Sequence, residues 1–139
     1  GVPADPGTGF ENGLFWSATA FEASPGHRIS REEIFGPVVT LTKFADEAEA
    51  IALANDSEYG LSASVWSQNI GRANRVAKAI RSGTVAINTP YAIFPGIPFG
   101  GFKQSGYGRD LGLETLASYT ETKSVLTYVG ERPIDPFGL

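Results

Sequence analysis

The sequence predicts an α/β fold with a mostly parallel sheet and flanking helices, and three observations carry that expectation. Two helix-to-strand transitions follow one another, over residues 46–66 and 69–88. Within the second, Ile70, Ala73, Val76, Ala77 and Ile80 recur at helical spacing and define one apolar stripe. The segments that close the two transitions, LSASVW and TVAIN, are short and carry β-branched residues between turn formers. This alternation favours a sheet covered by helices over a bundle or an antiparallel sandwich, with right-handed crossovers where the strands run parallel.

Residues 1–9, GVPADPGTG, hold three Gly and two Pro and predict a loop. LFWSATAFE at 14–22 predicts an extended element of imperfect alternation, and SPG at 24–26 a turn. VVTLTKF at 38–44 predicts a strand that starts after Pro37, where the missing N–H is tolerated. Asp46 is placed to cap a helix, with Glu49 three positions on, and Ala48, Ile51 and Ala52 form its expected inward face. Asn55 and Gly60 bracket the next turn. Asn69 starts the second helix and Gly83 is placed to stop it. Residues 95–108, with five Gly and two Pro, break the rhythm. Asp110 is then expected to cap a helix to about Ser118, buried along Leu113, Leu116 and Ala117. Residues 122–129 predict a final strand before an irregular tail.

Eleven Lys and Arg stand against fifteen Asp and Glu, a net charge of −4 that gives no reason to expect a nucleic-acid or anionic-membrane partner. Arg72, Arg75, Lys78 and Arg81 read as a solvated helix face, with polyanion binding the weaker alternative. No apolar run approaches the roughly 20 residues of a membrane span, and no apolar targeting segment opens the chain, so a soluble, cytoplasmic protein is expected. The start at Gly1 and the absence of Met suggest an excerpted or processed segment, ordinary loss of an initiator Met being the alternative. With zero Cys and one His, the chain cannot form a disulfide, a thiolate nucleophile or a Cys- or His-rich metal site.

The densest chemistry lies in REEIFGPV at 31–38. Adjacent Glu32 and Glu33 read either as solvent-exposed charges or as a carboxylate that accepts hydrogen bonds from a ligand hydroxyl pair, with Phe35 as a flat packing surface beside it. NTPYAIF at 88–94 leading into PFGG at 98–101 lines either a hydrophobic entrance or ordinary core. Arg109 binds an anion or belongs to the cap of the following helix. Gly106, Gly108 and Gly112 are spaced GxGxxxG without a preceding strand, which fails as a dinucleotide fingerprint. GxxxxGK[ST] is absent as well, and Asn55-Asp56-Ser57 is a chance-prone glycosylation tripeptide.

EEIFGPV at 32–38, NDSEYGLSASVW at 55–66, SGTVAIN at 82–88, PFGGFKQSGYGRDLG at 98–112 and YTETKSV at 119–125 occur in an order and spacing that resemble the C-terminal portion of the aldehyde dehydrogenase superfamily. The resemblance implies the latter part of the catalytic α/β domain over 1–121 and an oligomerisation strand with a tail over 122–139. It implies NAD or NADP as cofactor, with Glu33 on the nicotinamide ribose hydroxyls and Phe35 beside the nicotinamide. Tyr91, Ile93 and Phe99 align with the substrate tunnel, and Ile93 stands where family enzymes for small apolar aldehydes carry an aromatic. In the family a thiolate attacks an aldehyde, hydride passes to NAD(P)+, and water releases the acid. The nucleophilic Cys, the general-base Glu and the dinucleotide-binding segment have no counterparts here, so no catalytic residue is assigned and the chain alone is expected to be inactive. The implied partners are a missing N-terminal part of the same enzyme, further copies in a homodimer or homotetramer, and an aldehyde. A truncated, non-enzymatic interaction domain on the same scaffold is the alternative.

Overall fold

The computed structural model describes residues 7–10, 12–90, 93–132 and 135–137. In chain order it forms β1 (Thr19–Glu22), a 3-10 turn (Arg28–Ser30), β2 (Val38–Leu41), α1 (Glu47–Asn55), β3 (Tyr59–Gly60), β4 (Ser62–Val65), α2 (Ile70–Ala79), β5 (Thr84–Ile87), β6 (Phe102–Lys103) and a second 3-10 segment (Glu114–Tyr119). β1 pairs with β2 and β4 with β5, both parallel, while β3 and β6 form a short antiparallel pair. The expected parallel α/β character is present, but among the described residues the strands stand as three two-stranded sheets rather than one.

β4, α2 and β5 make a parallel strand–helix–strand unit. Asn69 caps α2 by accepting the Arg72 N–H at 2.9 Å, and Ala73 is fully buried at 0% exposure. Val76, Ala77 and Ile80 are half-buried as the stripe requires, whereas Ile70, in the first turn, is exposed. Asp46 caps α1 by accepting the Glu49 N–H at 2.9 Å. The Glu49 carboxylate reaches back to the Ala45 N–H at 2.6 Å, one residue before the usual partner of a reciprocal cap. The inward face of α1 is offset from the expected one: Ala48 and Ala52 are exposed, and Glu47, Ala50, Ile51 and Leu53 are half-buried.

Glu47 is drawn inward by charge. Arg75 donates to it from α2, and Arg72 lies 3.5 Å away, so two of the four basic side chains expected on a solvated face tie α2 to α1. Gly83 does not stop α2, which already turns extended at Ile80. It serves a crossing instead: a Cβ there would land on the Gly100 carbonyl oxygen, so the chain entering β5 passes directly against the 100–101 backbone.

Three expectations near the C-terminal end are corrected. Asp110 caps no helix; its backbone exchanges two hydrogen bonds with Phe99, at 2.7 and 2.8 Å, and the segment that follows is 3-10 without a side-chain cap. Leu113 and Leu116 are exposed there rather than buried, since the 3-10 segment presents no packed face. Residues 122–129 form no strand, because nothing among the described residues pairs with them, and Val125, Leu126 and Val129 stand in solvent. The oligomerisation strand expected over 122–139 therefore has no counterpart in the described fold.

The buried apolar residues among those described are Ala23, Ala73 and Ala86. The accessible surface is 11476 Å², against about 6,900 Å² for a folded monomer of this mass by the usual size scaling. Both faces of a parallel sheet are ordinarily covered, yet Val39 and Leu41 of β2 are exposed.

Candidate cofactor-binding site

The REEIFGPV loop runs from the first 3-10 turn to β2. Its downstream end is fixed where the Pro37 carbonyl accepts the Thr19 N–H at 2.9 Å, as β1 and β2 come together. Within the loop the two adjacent carboxylates separate. Arg28 Nε donates to Glu32 Oε1 at 2.7 Å, an i,i+4 pair that holds the Arg28 guanidinium above its ordinary pKa. The Glu33 side chain is exposed and has neither a hydrogen bond nor an ion pair among the described residues.

Glu33 lines a hollow of about 240 Å³ together with Ile29, Glu32, Phe35, Gly36 and Thr40. Phe35 is 94% exposed and its backbone is left-handed, with φ of 54°. A non-glycine residue in that region costs on the order of 1–2 kcal/mol and persists where the surroundings over-determine it. A free carboxylate beside an exposed flat ring suits a ligand that brings hydroxyl donors and an aromatic face. The size of the hollow suits one sugar-sized part of such a ligand rather than a whole dinucleotide.

Arg31 places this loop. Its Nε donates to the Pro25 carbonyl at 2.7 Å, its Nη1 to the Asp56 carbonyl at 2.8 Å and its Nη2 to Asp56 Oδ2 at 2.6 Å. The hydrogen bond from Arg31, reinforced by its charge, holds the Asp56 carboxyl below the usual aspartate range, and Arg31 is raised in return. Asp56 is the C-cap of α1. Sequence reading did not single out either residue for this role. Arg31 is adjacent to the motif, but no linear spacing couples it to a residue 25 positions away.

The other predicted site residues lie elsewhere. Tyr91 falls outside the described residues. Ile93 is 60% exposed on the loop after β5. Phe99 is half-buried and lines a different hollow, of about 330 Å³, with Gly100, Gly101, Ser105 and Arg109. Arg109 is engaged by the protein: its Nη1 donates to the carbonyls of Gly101, Gly108 and Tyr107 at 2.9, 2.8 and 3.3 Å, and its guanidinium lies 5.4 Å from the Phe102 ring centre. This resolves Arg109 in favour of a structural role. Among the described residues no group of three or more His, Cys, Asp or Glu is arranged to hold a metal ion, and no helix is long and apolar enough to cross a membrane.

Residues 2–125 match the aldehyde dehydrogenase family. The chain is 48% identical over 124 residues to a betaine aldehyde dehydrogenase of Bacillus subtilis, covering 88% of this chain and 25% of that protein. It is 48% identical over 120 residues to an aldehyde dehydrogenase of Emericella nidulans, covering 86% and 24%. A crystal structure of Staphylococcus aureus betaine aldehyde dehydrogenase in complex with NAD+ superposes with a TM-score of 0.86 at 43% identity, over 98% of this chain and 27% of that one. The chain thus spans about a quarter of the length of the relatives it matches.

The expected placement within such enzymes is corrected. The parallel strand–helix–strand topology is Rossmann-like and resembles the NAD-binding region of the family rather than a C-terminal portion ending in an oligomerisation strand. The expectation that the missing partner is an N-terminal part of the same enzyme falls with it.

Proposed function

The chain belongs to the aldehyde dehydrogenase family, and from that premise we propose that it is part of a longer NAD(P)-dependent enzyme that oxidises an aldehyde to a carboxylic acid. Its contribution is to orient the cofactor through Glu33 and Phe35 and to supply a wall of the substrate tunnel through Tyr91, Ile93 and Phe99. The observation that carries this reading is the division of labour at 32–33: Glu32 is occupied by Arg28, and Glu33 is left free beside the exposed Phe35 ring.

A free carboxylate accepts two hydroxyl donors at once, which suits the vicinal hydroxyls of a ribose. Phe35, with its left-handed backbone and exposed ring, offers a face on which a planar ring can stack. The bound cofactor supplies the hydride acceptor; these residues supply orientation, which matters because small misplacements weaken reaction geometry. With zero Cys in the chain, a covalent step on the aldehyde requires a nucleophile from another part of the enzyme. Ile93 has a branched aliphatic side chain at a position near which family enzymes for small apolar aldehydes usually carry an aromatic, and this argues against such aldehydes as preferred substrates.

Glu33→Gln in the full-length enzyme tests the reading. Replacing a charged acceptor by a near-isosteric amide removes about 1.5–3 kcal/mol of cofactor binding, roughly tenfold or more in KM for NAD(P)+. Thermal unfolding should be unchanged. A variant with wild-type cofactor KM and wild-type kcat would refute the assignment.

A further inference from the structure

We propose that Arg31 and Asp56 form a positioning pair that sets the height and direction of the Glu33 carboxylate, a proposal that rests on the cofactor role given to Glu33 above. Arg31 uses its planar fork on two separate stretches of chain, the 25 carbonyl on one side and both the carbonyl and the carboxylate of Asp56 on the other. Only one residue separates it from Glu33, and that residue, Glu32, is itself held by Arg28. The two residues upstream of Glu33 are therefore each tied by a side-chain hydrogen bond.

The anchor at the far end is equally fixed. Lys103 Nζ donates to the carbonyls of Asn55 and Ser57, the residues either side of Asp56, at 2.9 Å each. The Asn55 side chain donates to the Ala79 carbonyl at 2.9 Å and accepts the Arg81 N–H at 2.7 Å. Asp56 is thereby referenced to α2 and β6 as well as to α1. Through Arg31 the Glu33 loop takes its position from that frame rather than from β2 alone. Neither Arg31 nor Asp56 lines the Glu33 hollow. Their effect on a ligand there is exerted through the loop.

Arg31→Lys and Asp56→Asn separate the roles in the full-length enzyme. Lysine keeps the charge but cannot make three divergent bonds from one plane. Asparagine keeps the Asp56 backbone acceptor and loses the carboxylate. Each is expected to raise the KM for NAD(P)+ on the order of tenfold while leaving the aldehyde KM and the Tm near wild type.

Combined with Glu33→Gln, each should add little, because a misplaced carboxylate and an absent one lose the same interaction. The proposal is overturned if Glu33→Gln raises the cofactor KM and neither Arg31→Lys nor Asp56→Asn does, an outcome that leaves the Glu33 reading standing. It is equally overturned if their effects multiply fully with that of Glu33→Gln. If Glu33→Gln itself changes nothing, the underlying reading fails and takes this one with it.

Discussion

The Arg75 guanidinium grips the Glu47 carboxylate with two hydrogen bonds, Nε to Oε1 at 2.7 Å and Nη2 to Oε2 at 2.8 Å, and so joins the middle of α2 to the first residue of α1. The hydrogen bond from Arg75, helped by its charge and that of Arg72, holds the Glu47 carboxyl below the usual glutamate range.

The stability this grip contributes depends on pH in one direction. A carboxyl whose folded-state pKa is depressed stabilises the fold above its unfolded pKa, and the contribution disappears as pH falls through the folded value. Glu47→Gln should therefore lower Tm at pH 7, and the gap to wild type should close in acid, below the ordinary glutamate range. The shift should be modest, since both arginines remain largely in solvent. Paired thermal scans from pH 7 down to pH 3 check this; a gap that widens in acid contradicts it.

Gly83→Ala should be among the more damaging single-methyl changes in the chain. The added carbon meets the Gly100 carbonyl, a backbone atom that cannot swing aside, and a cost of about 3 kcal/mol is expected. Gly26→Ala is the control: nothing lies within 4 Å of its added Cβ, so a change within about 0.5 kcal/mol is expected. Chemical denaturation of both variants decides between them.

Asn88 closes the strand–helix–strand unit by accepting the Ser67 N–H at 2.8 Å and donating to the Ser67 carbonyl at 3.0 Å, from a left-handed backbone with φ of 55°. Asn88→Ala loses both bonds and keeps the unfavourable backbone, so a loss of about 1–2 kcal/mol is expected. Asn88→Gly relieves the backbone while losing the same bonds and should cost less. The order of the two unfolding midpoints is the measurement.

The chain expressed alone should produce no NADH or NADPH from aliphatic or aromatic aldehydes, because it holds no cysteine. Its exposed Leu14, Phe35, Leu126 and Val129 should also make it bind a hydrophobic dye and scatter light increasingly with concentration. Turnover traceable to this polypeptide would overturn the first expectation, and a dye-free monomer the second.

The α/β character, β2, α1, α2, β4 and β5 were legible because their signals are local. The caps at Asp46 and Asn69 and the stripe at Ala73, Val76 and Ile80 each act within a few residues. β3 and β6 were not legible, since a two-residue strand has no period and its pairing joins Tyr59 to Lys103 across the chain. Arg75 is solvated as expected, but its pairing with Glu47 was not legible because that partner is on another helix. The motif around Glu33 was legible as a concentration of chemistry. The occupation of Glu32 and the role of Arg31 were not, as both depend on where the backbone of 25–37 turns. The exposed 122–129 segment has the alternation of a strand but lacks a neighbour among the described residues, and composition does not record neighbours.

The compactness of the β4–α2–β5 unit has a kinetic consequence. Its closing bonds between Ser67 and Asn88 span 21 residues, whereas the contact of Gly60 with Ser105 spans 45. Loop closure becomes more expensive with length, so the shorter circuit is favoured to form before β3 and β6 meet. Pairing of β3 with β6 is thus the later event, and a change that weakens it should slow the final docking more than the first collapse.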